Sequence, residues 1–292
     1  MLQYKPMAAG YIPTIRGYSL SDFHDYDTCV FKFLVKHDLQ KKYEIGRGSP
    51  QMALGVLLDR AIKEIHRNRG KGSYKAPVER LVNAVKYAAG LIRKEEKASN
   101  KHPNFSTAVV EFFTDDVVAA AENTLKNYLT QIDNKFRPAI FDIDFCKKVL
   151  EIEGEKYVLW GGPDTLEMGG DKMPEIIDYK SRQDLAKGKQ NMDMDLMPKL
   201  YTLLLAEDLL KKGFKKARFK VVFWQDPKDE SFVQEFDLKD LSKVEAVFKE
   251  KIKAILANKE ISFCMMPFCE ACNSEKSDEY VEMLEGMGYG LG

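Results

Sequence analysis

The chain has 292 residues, and its 45 Lys and Arg are balanced by 45 Asp and Glu, so the formal net charge is zero. With 45% hydrophobic and 31% charged residues, it is neither a disordered chain nor too poor in apolar surface for a sizeable core. A globally basic nucleic-acid coat is excluded, whereas a local basic groove is not, because steering depends on where charge lies. No run reaches the roughly 18 apolar residues of a membrane span. The best, Leu200 to Leu210, is interrupted by Thr202, Glu207 and Asp208. The N-terminal stretch up to Gly17 lacks an apolar signal segment. Five cysteines in a chain this long do not make a secreted disulfide scaffold, so a reducing cytoplasm is the expected compartment.

The first half reads as helical. Ser21 is placed to cap a helix running through Phe23, Tyr26, Val30, Phe33 and Leu34. After a loop at Gly46-Arg47-Gly48-Ser49-Pro50, residues Leu54, Leu58, Ala61 and Ile65 form the apolar stripe of a second helix, which Gly70 to Gly72 ends. Two further helices are expected over about 78–97 and 107–132. The period then shortens to that of strands. Residues 145–153 and 156–160 read as a hairpin turning at Gly154, and Gly161-Gly162-Pro163 breaks the pattern. It resumes over 165–168, turns at Gly169-Gly170-Asp171 and returns over 175–180, which gives a three-stranded antiparallel meander. A helix over about 195–212 tolerates Pro198 in its first turn. Strands over 217–224 and 231–238 flank a turn at 226–229, and an amphipathic helix covers 241–258. The cysteine cluster and a polar, Gly-rich tail close the chain.

The chemistry concentrates on the meander. Trp160-Gly161-Gly162-Pro163-Asp164 is followed, fourteen residues on from Asp164, by Asp178-Tyr179-Lys180. Side chains alternate along a strand, so Asp178 and Lys180 share a face and Tyr179 takes the other. A meander can set Asp164, at the bend of the preceding strand, beside Asp178. Two neighbouring carboxylates repel unless a cation neutralises them, which makes the pair a natural Mg²⁺ or Mn²⁺ site. A lysine two residues on is placed to hold a water next to that ion. Together these are the parts for metal-assisted phosphodiester hydrolysis.

These residues resemble the PD-(D/E)xK nuclease signature, and their surroundings resemble its RecB-like and Cas4-like branch. Tyr26-Asp27-Thr28-Cys29 matches the branch's Y-x-x-C element, and Gly161-Gly162-Pro163-Asp164 with Ile177-Asp178-Tyr179-Lys180 matches its core. Three clustered cysteines near the C-terminus match its last element. Gly55-Val56-Leu57-Leu58-Asp59 carries aspartate where the family has histidine, and Met197-Pro198-Lys199-Leu200-Tyr201 carries methionine where it has glutamine. Cys264-x4-Cys269-x2-Cys272 reverses the usual cysteine spacing.

The resemblance implies an α/β, restriction-endonuclease-like core, a mixed sheet flanked by helices, with an N-terminal helical region. The expected division is 1–138 for the helical region, 139–260 for the nuclease core and 261–292 for the cysteine cluster and tail. It implies a metal-dependent DNA nuclease acting on single strands or ends, beside protein partners in recombination, repair or CRISPR machinery and away from membranes. Asp164 and Asp178 would bind the ion with the Tyr179 carbonyl and Asp59. Lys180 would orient the water, and Tyr201 would join the active site.

Cys29, Cys264, Cys269 and Cys272 offer four thiolates for either a [4Fe–4S] cluster or zinc, while Cys146 reads as structural. Lys211-Lys212-Gly213-Phe214-Lys215-Lys216-Ala217-Arg218-Phe219-Lys220, with six basic residues in ten, reads as either a solvated helix end or a phosphate-contacting rim. The readings that compete with a nuclease are a nucleic-acid-binding module that has lost cleavage and a metal-stabilised structural subunit.

Overall fold

The computed structural model describes residues 16–39, 49–67, 74–75, 78–98, 107–132, 135–136, 140, 143, 145–180, 196–224, 226, 232–264, 266, 269 and 271–292. After a short strand β1 (Gly17–Tyr18), helix α1 (Leu20–Thr28) starts at Ser19 and not at Ser21. Ser19 and Asp22 form a reciprocal capping box, in which the Ser19 N–H donates to Asp22 Oδ2 at 2.8 Å. The single helix expected through Leu34 is two helices. Cys29 is extended, ends α1 and caps α2 (Val30–His37), its Sγ accepting from the Lys32 N–H at 3.4 Å.

Helix α3 (Pro50–Arg67) buries the expected stripe of Leu54, Leu58, Ala61 and Ile65. Ser49 caps it, its hydroxyl accepting from the Met52 N–H at 3.2 Å. Strand β2 (Tyr74–Lys75) and helix α4 (Val78–Ala98) follow. The helix expected over 107–132 is a 3₁₀ segment, Thr107–Phe112, and then α5 (Asp115–Gln131). Thr114 breaks the two apart by capping a new start, accepting from the Val117 N–H at 3.4 Å. Strand β3 (Lys135–Phe136) pairs with β2. Gly46 to Gly48, the Gly70–Gly72 stop and Pro227 to Asp229 of the last turn lie outside the described residues.

Strands β4 (Cys146–Ile152) and β5 (Glu155–Gly161) form the expected hairpin. Its two turn residues, Glu153 and Gly154, both have positive φ, 54° and 85°, the twist that a two-residue hairpin favours. On the other edge of β5 lies β1, parallel to it. Strand β6 (Thr165–Met168) pairs antiparallel with β7 (Pro174–Lys180). The expected three-stranded meander is therefore not formed: β4 and β5 belong to one sheet, and β6 and β7 to another. The ladder of β5 ends at Gly161, paired with Cys146, and the segment Gly162 to Asp164, in which Pro163 has no N–H to donate, carries the chain out of one sheet and into the next.

From β7 the chain crosses through α6 (Met197–Lys211) to β8 (Lys216–Phe223), which lies parallel to β7. A crossover of this kind is what parallel neighbours require. Strand β9 (Val233–Asp237) closes the order β6-β7-β8-β9. Helix α7 (Ser242–Ala257), strand β10 (Glu260–Ile261), helix α8 (Ser277–Gly286) and strand β11 (Gly290–Leu291) complete the described elements. The tail is thus not merely polar. Tyr280 and Leu284 of α8 are buried, and β11 pairs parallel with β10.

Alternation along β7 and β8 gives the central sheet two apolar faces. Ile176, Phe219, Val221 and Phe223 join a core with α1, α2, α6, α7 and α8. Ile177, Tyr179, Val222 and Trp224 join a second core with α3, α4 and α5. Helices on both faces of a sheet with a parallel centre make this an α/β fold. No described helix is long and apolar enough to cross a membrane.

Candidate active site

The register of β6 on β7 sets Thr165 opposite Ile177, so Asp164 and Asp178 are the next facing pair. The Asp164 N–H donates to the Ile177 carbonyl at 3.0 Å, and the Tyr179 N–H donates to Asp164 Oδ2 at 2.6 Å. Asp178 is buried, and Lys180 on the same face places Nζ 2.5 Å from Asp178 Oδ2. That contact is an ion pair without the alignment of a hydrogen bond.

Helix α3 supplies the third carboxylate. Lys63, one turn beyond Asp59, holds its Nζ 2.9 Å from Asp59 Oδ1 and 3.6 Å from Asp164 Oδ1. One ammonium therefore lies between the two carboxylates. Burial first, then the charges of Asp178 and Asp59, push the Asp164 carboxyl well above the usual carboxylate range, against the pull of Lys63. Lys63 was not among the residues singled out from the sequence. Its signal was the four-residue spacing from Asp59, which places both on one helical face.

Tyr201 comes to the same place on α6. A Cβ on Gly161 would stand 3.3 Å from Tyr201 Cε1 and 3.6 Å from Leu204 Cδ1, so the missing side chain lets α6 lie close against the end of β5. Burial and then the negative charges of Asp178, Asp164 and Asp59 push the Tyr201 phenol up and keep it protonated. Met197, in the glutamine position of the family motif, is buried in the core.

The Tyr179 side chain belongs to the opposite face. It is buried, stacks on Trp224 with ring centroids 4.7 Å apart, and its hydroxyl lies 3.3 Å from that of Tyr128. Its backbone is what faces Asp164. The N–H and C=O of one strand residue leave on the same edge, so the Tyr179 carbonyl is directed towards the bend that carries Asp164.

Asp178 and Asp59 lie near enough to act on Asp164 electrostatically, and with this carbonyl the three carboxylates would offer only oxygen donors, the chemistry that suits hard Mg²⁺ or Mn²⁺. Two observations support the fit. Asp178 Oδ2 and Asp59 Oδ1 are buried oxygens with ion partners but no aligned hydrogen bond, and Asp164 is pushed up by burial and then by its carboxylate neighbours.

Within the basic stretch, Arg218 lies away from these carboxylates. Arg218 sits opposite Glu175 in the ladder, whereas Val221 sits opposite Asp178, a separation of roughly 10 Å along the strand. Arg218 pairs with Asp171 at 2.9 Å, Glu175 at 3.1 Å and Glu235 at 2.7 Å. Lys211 pairs with Glu207 at 2.7 Å. Arg218 thus ties β7, β8, β9 and the turn at Asp171 together by ion pairs.

The four cysteines converge despite their reversed spacing. Cys29 Sγ lies 3.5 Å from Cys272 Sγ and 3.7 Å from Cys269 Sγ, and Cys264 Sγ lies 3.8 Å from Cys272 Sγ. The Phe31 N–H, donating to the Ser262 carbonyl at 3.0 Å, ties α2 to the segment after β10 and brings the groups together. Cys146 stands at the start of β4, where burial pushes its thiol up to about 12.

No curated protein matches the chain. The crystal structure of SSO0001 is similar at 15% identity, with 70% of this chain and 86% of that one covered and a TM-score of 0.24. Scheffersomyces stipitis Rai1 in complex with (3'-NADP)+ and calcium ion is 9% identical, with 85% of this chain and 64% of that one covered and a TM-score of 0.18. A second structure of Rai1 from the same organism is 8% identical, covering 82% and 70%, with a TM-score of 0.20. Similarities this low carry no argument about fold or function. The family comparison does: the PD-(D/E)XK nuclease superfamily matches residues 18–276, a span that includes every residue of the acidic site and all four converging cysteines. The chain belongs to the PD-(D/E)XK nuclease superfamily.

Proposed function

We propose that this chain is a Mg²⁺- or Mn²⁺-dependent deoxyribonuclease of the RecB/Cas4-like type, acting on DNA ends or single strands. The observation that carries the reading is the gathering of Asp59, Asp164 and Asp178 around the end of β7 with Lys180 on the same face. Asp59, Asp164, Asp178 and the Tyr179 carbonyl would hold the ion. When bound, such an ion supplies positive charge towards a phosphate oxygen and lowers the pKa of a water.

The chain's own groups do the rest. The Lys180 ammonium, fixed by Asp178, orients the attacking water and offsets charge developing on the phosphate. Tyr201, held protonated, is a hydrogen-bond donor beside the carboxylates. Lys63 balances Asp59 and Asp164 before the ion enters. Tyr26 and Cys29 of the Y-x-x-C element support the RecB/Cas4-like branch. A place beside recombination, repair or CRISPR proteins rests on that resemblance alone.

The test is digestion, with Mn²⁺, of end-labelled linear single strands, linear duplex, covalently closed circles and RNA of the same sequence. The expected result is shortening of linear DNA with circles left intact. Cleavage of circles would overturn the dependence on ends, and equal cleavage of RNA would overturn the restriction to DNA.

A further inference from the structure

The cysteine cage has a size, and the size selects its occupant. We infer that Cys29, Cys264, Cys269 and Cys272 hold a single tetrahedral zinc ion and not a [4Fe–4S] cluster. Four thiolates about 2.3 Å from one central zinc stand about 3.8 Å apart along the edges of the tetrahedron. The observed separations of 3.5, 3.7 and 3.8 Å match that edge, and all four sulfurs lie within 4.8 Å of one another. A cubane cluster places four irons and four sulfides inside the cage, which drives the thiolates to roughly 6 Å apart or more.

Expanding the cage would disturb structure that fixes it on two sides. Cys29 is the shared cap of α1 and α2, with its Sγ accepting from the Lys32 N–H. Cys269 sits in a turn where its N–H donates to the Met266 carbonyl at 3.0 Å and its carbonyl accepts from the Asn273 N–H at 3.0 Å. A disulfide is not the alternative here, since the shortest separation of 3.5 Å is far beyond a sulfur–sulfur bond of about 2 Å. All four thiols lose their protons to solvent when the ion binds, and no electron is transferred.

With four protein ligands the site is closed and leaves no position for substrate. Its role is a clasp. It joins the α1–α2 junction to the segment between β10 and α8 across a loop of 235 residues from Cys29 to Cys264. This inference does not rest on the nuclease reading, because its readout is metal content.

The test is elemental analysis and labile-sulfide assay of full-length protein purified anaerobically from cells grown in iron-replete medium. The expected result is one zinc per chain, no labile sulfide and no brown colour, and cobalt exchanged into the protein should show the strong visible bands of a tetrahedral thiolate site. Cys29→Ser and Cys269→Ser should each lose zinc, at least tenfold in affinity. If those variants fail to fold, chelation of wild-type protein decides: zinc release should unmask four thiols that were protected from a thiol reagent. Iron and sulfide near four per chain, the absence of stoichiometric zinc, or thiols equally reactive before and after chelation would each overturn the assignment. DNA cleavage without zinc would remove the clasp and leave the nuclease reading standing.

Discussion

Lys63 Nζ lies 3.6 Å from Asp164 Oδ1 while holding Asp59 at 2.9 Å. The lysine stands between two of the proposed metal ligands, so it should stabilise the metal-free protein and compete with an incoming ion. Replacing it should separate those two effects. In Lys63→Met, the metal-free melting temperature should fall and Mn²⁺ should bind at least tenfold more tightly, since even two unit charges about 4 Å apart interact by about 4 kcal/mol at an effective dielectric near 20. Calorimetric titration of Mn²⁺ into both proteins measures this. Equal affinities would reduce Lys63 to a solvated helix-face pair.

Asp164 gives the pH dependence. Its folded carboxyl is raised by burial and by Asp178 and Asp59, whereas an unfolded aspartate titrates near about 3.9. The folded chain therefore holds this proton more readily than the unfolded chain. In EDTA, the cost of the charged carboxylate is fully present above the folded pKa. It is relieved as pH falls through that value, and below the unfolded value no difference remains. Asp164→Asn keeps an acceptor for the Tyr179 N–H and removes the charge. It should be more stable than wild type at neutral pH by something on the order of 1 kcal/mol, with the gap closing as pH falls. Denaturant unfolding across that range decides, and a gap that widens towards acid would contradict the assigned cause.

Much of this site was legible because its parts lie near one another in sequence. Asp178 and Lys180 alternate along one strand, so their shared face was readable directly, and Asp164 lies at the bend into the strand that pairs with it. Asp59 came from the family pattern, since nothing in a helical stripe says which sheet it will meet. Lys63 was passed over because an Asp and a Lys four residues apart look like any surface pair, and only the fold shows Asp164 on its other side. Cys29 looked like one more helical residue. Its extended backbone, which splits the first helix, comes from its tertiary position beside Ser262 and the later cysteines. Helix α8 was missed because its apolar face amounts to little more than Tyr280 and Leu284. The division of the expected meander between two sheets was only half visible. Gly161-Gly162-Pro163 marked the break, but not the change of sheet.

Asp59 is the proposed ligand whose identity departs from the family pattern. Asp59→Asn should lower cleavage and raise the metal concentration needed for half-maximal rate. Asp59→His should recover part of the activity with Mn²⁺ and less with Mg²⁺, because imidazole suits manganese better than magnesium. Rates measured against metal concentration for both variants test this. An unchanged metal requirement in Asp59→Asn would assign the residue to pairing with Lys63 alone.

The most direct measurement is cleavage of linear DNA in Mn²⁺ by wild type, Asp178→Ala and Lys180→Ala, with Mn²⁺ binding and thermal unfolding recorded on the same samples. Both variants should stay folded and lose cleavage by at least about 100-fold, the usual scale for removing one group that stabilises transition-state charge. Asp178→Ala should also weaken Mn²⁺ binding, whereas Lys180→Ala should largely keep it. Folded variants that cut DNA at the wild-type rate would contradict the assignment of this carboxylate and lysine face as a metal-dependent nuclease centre.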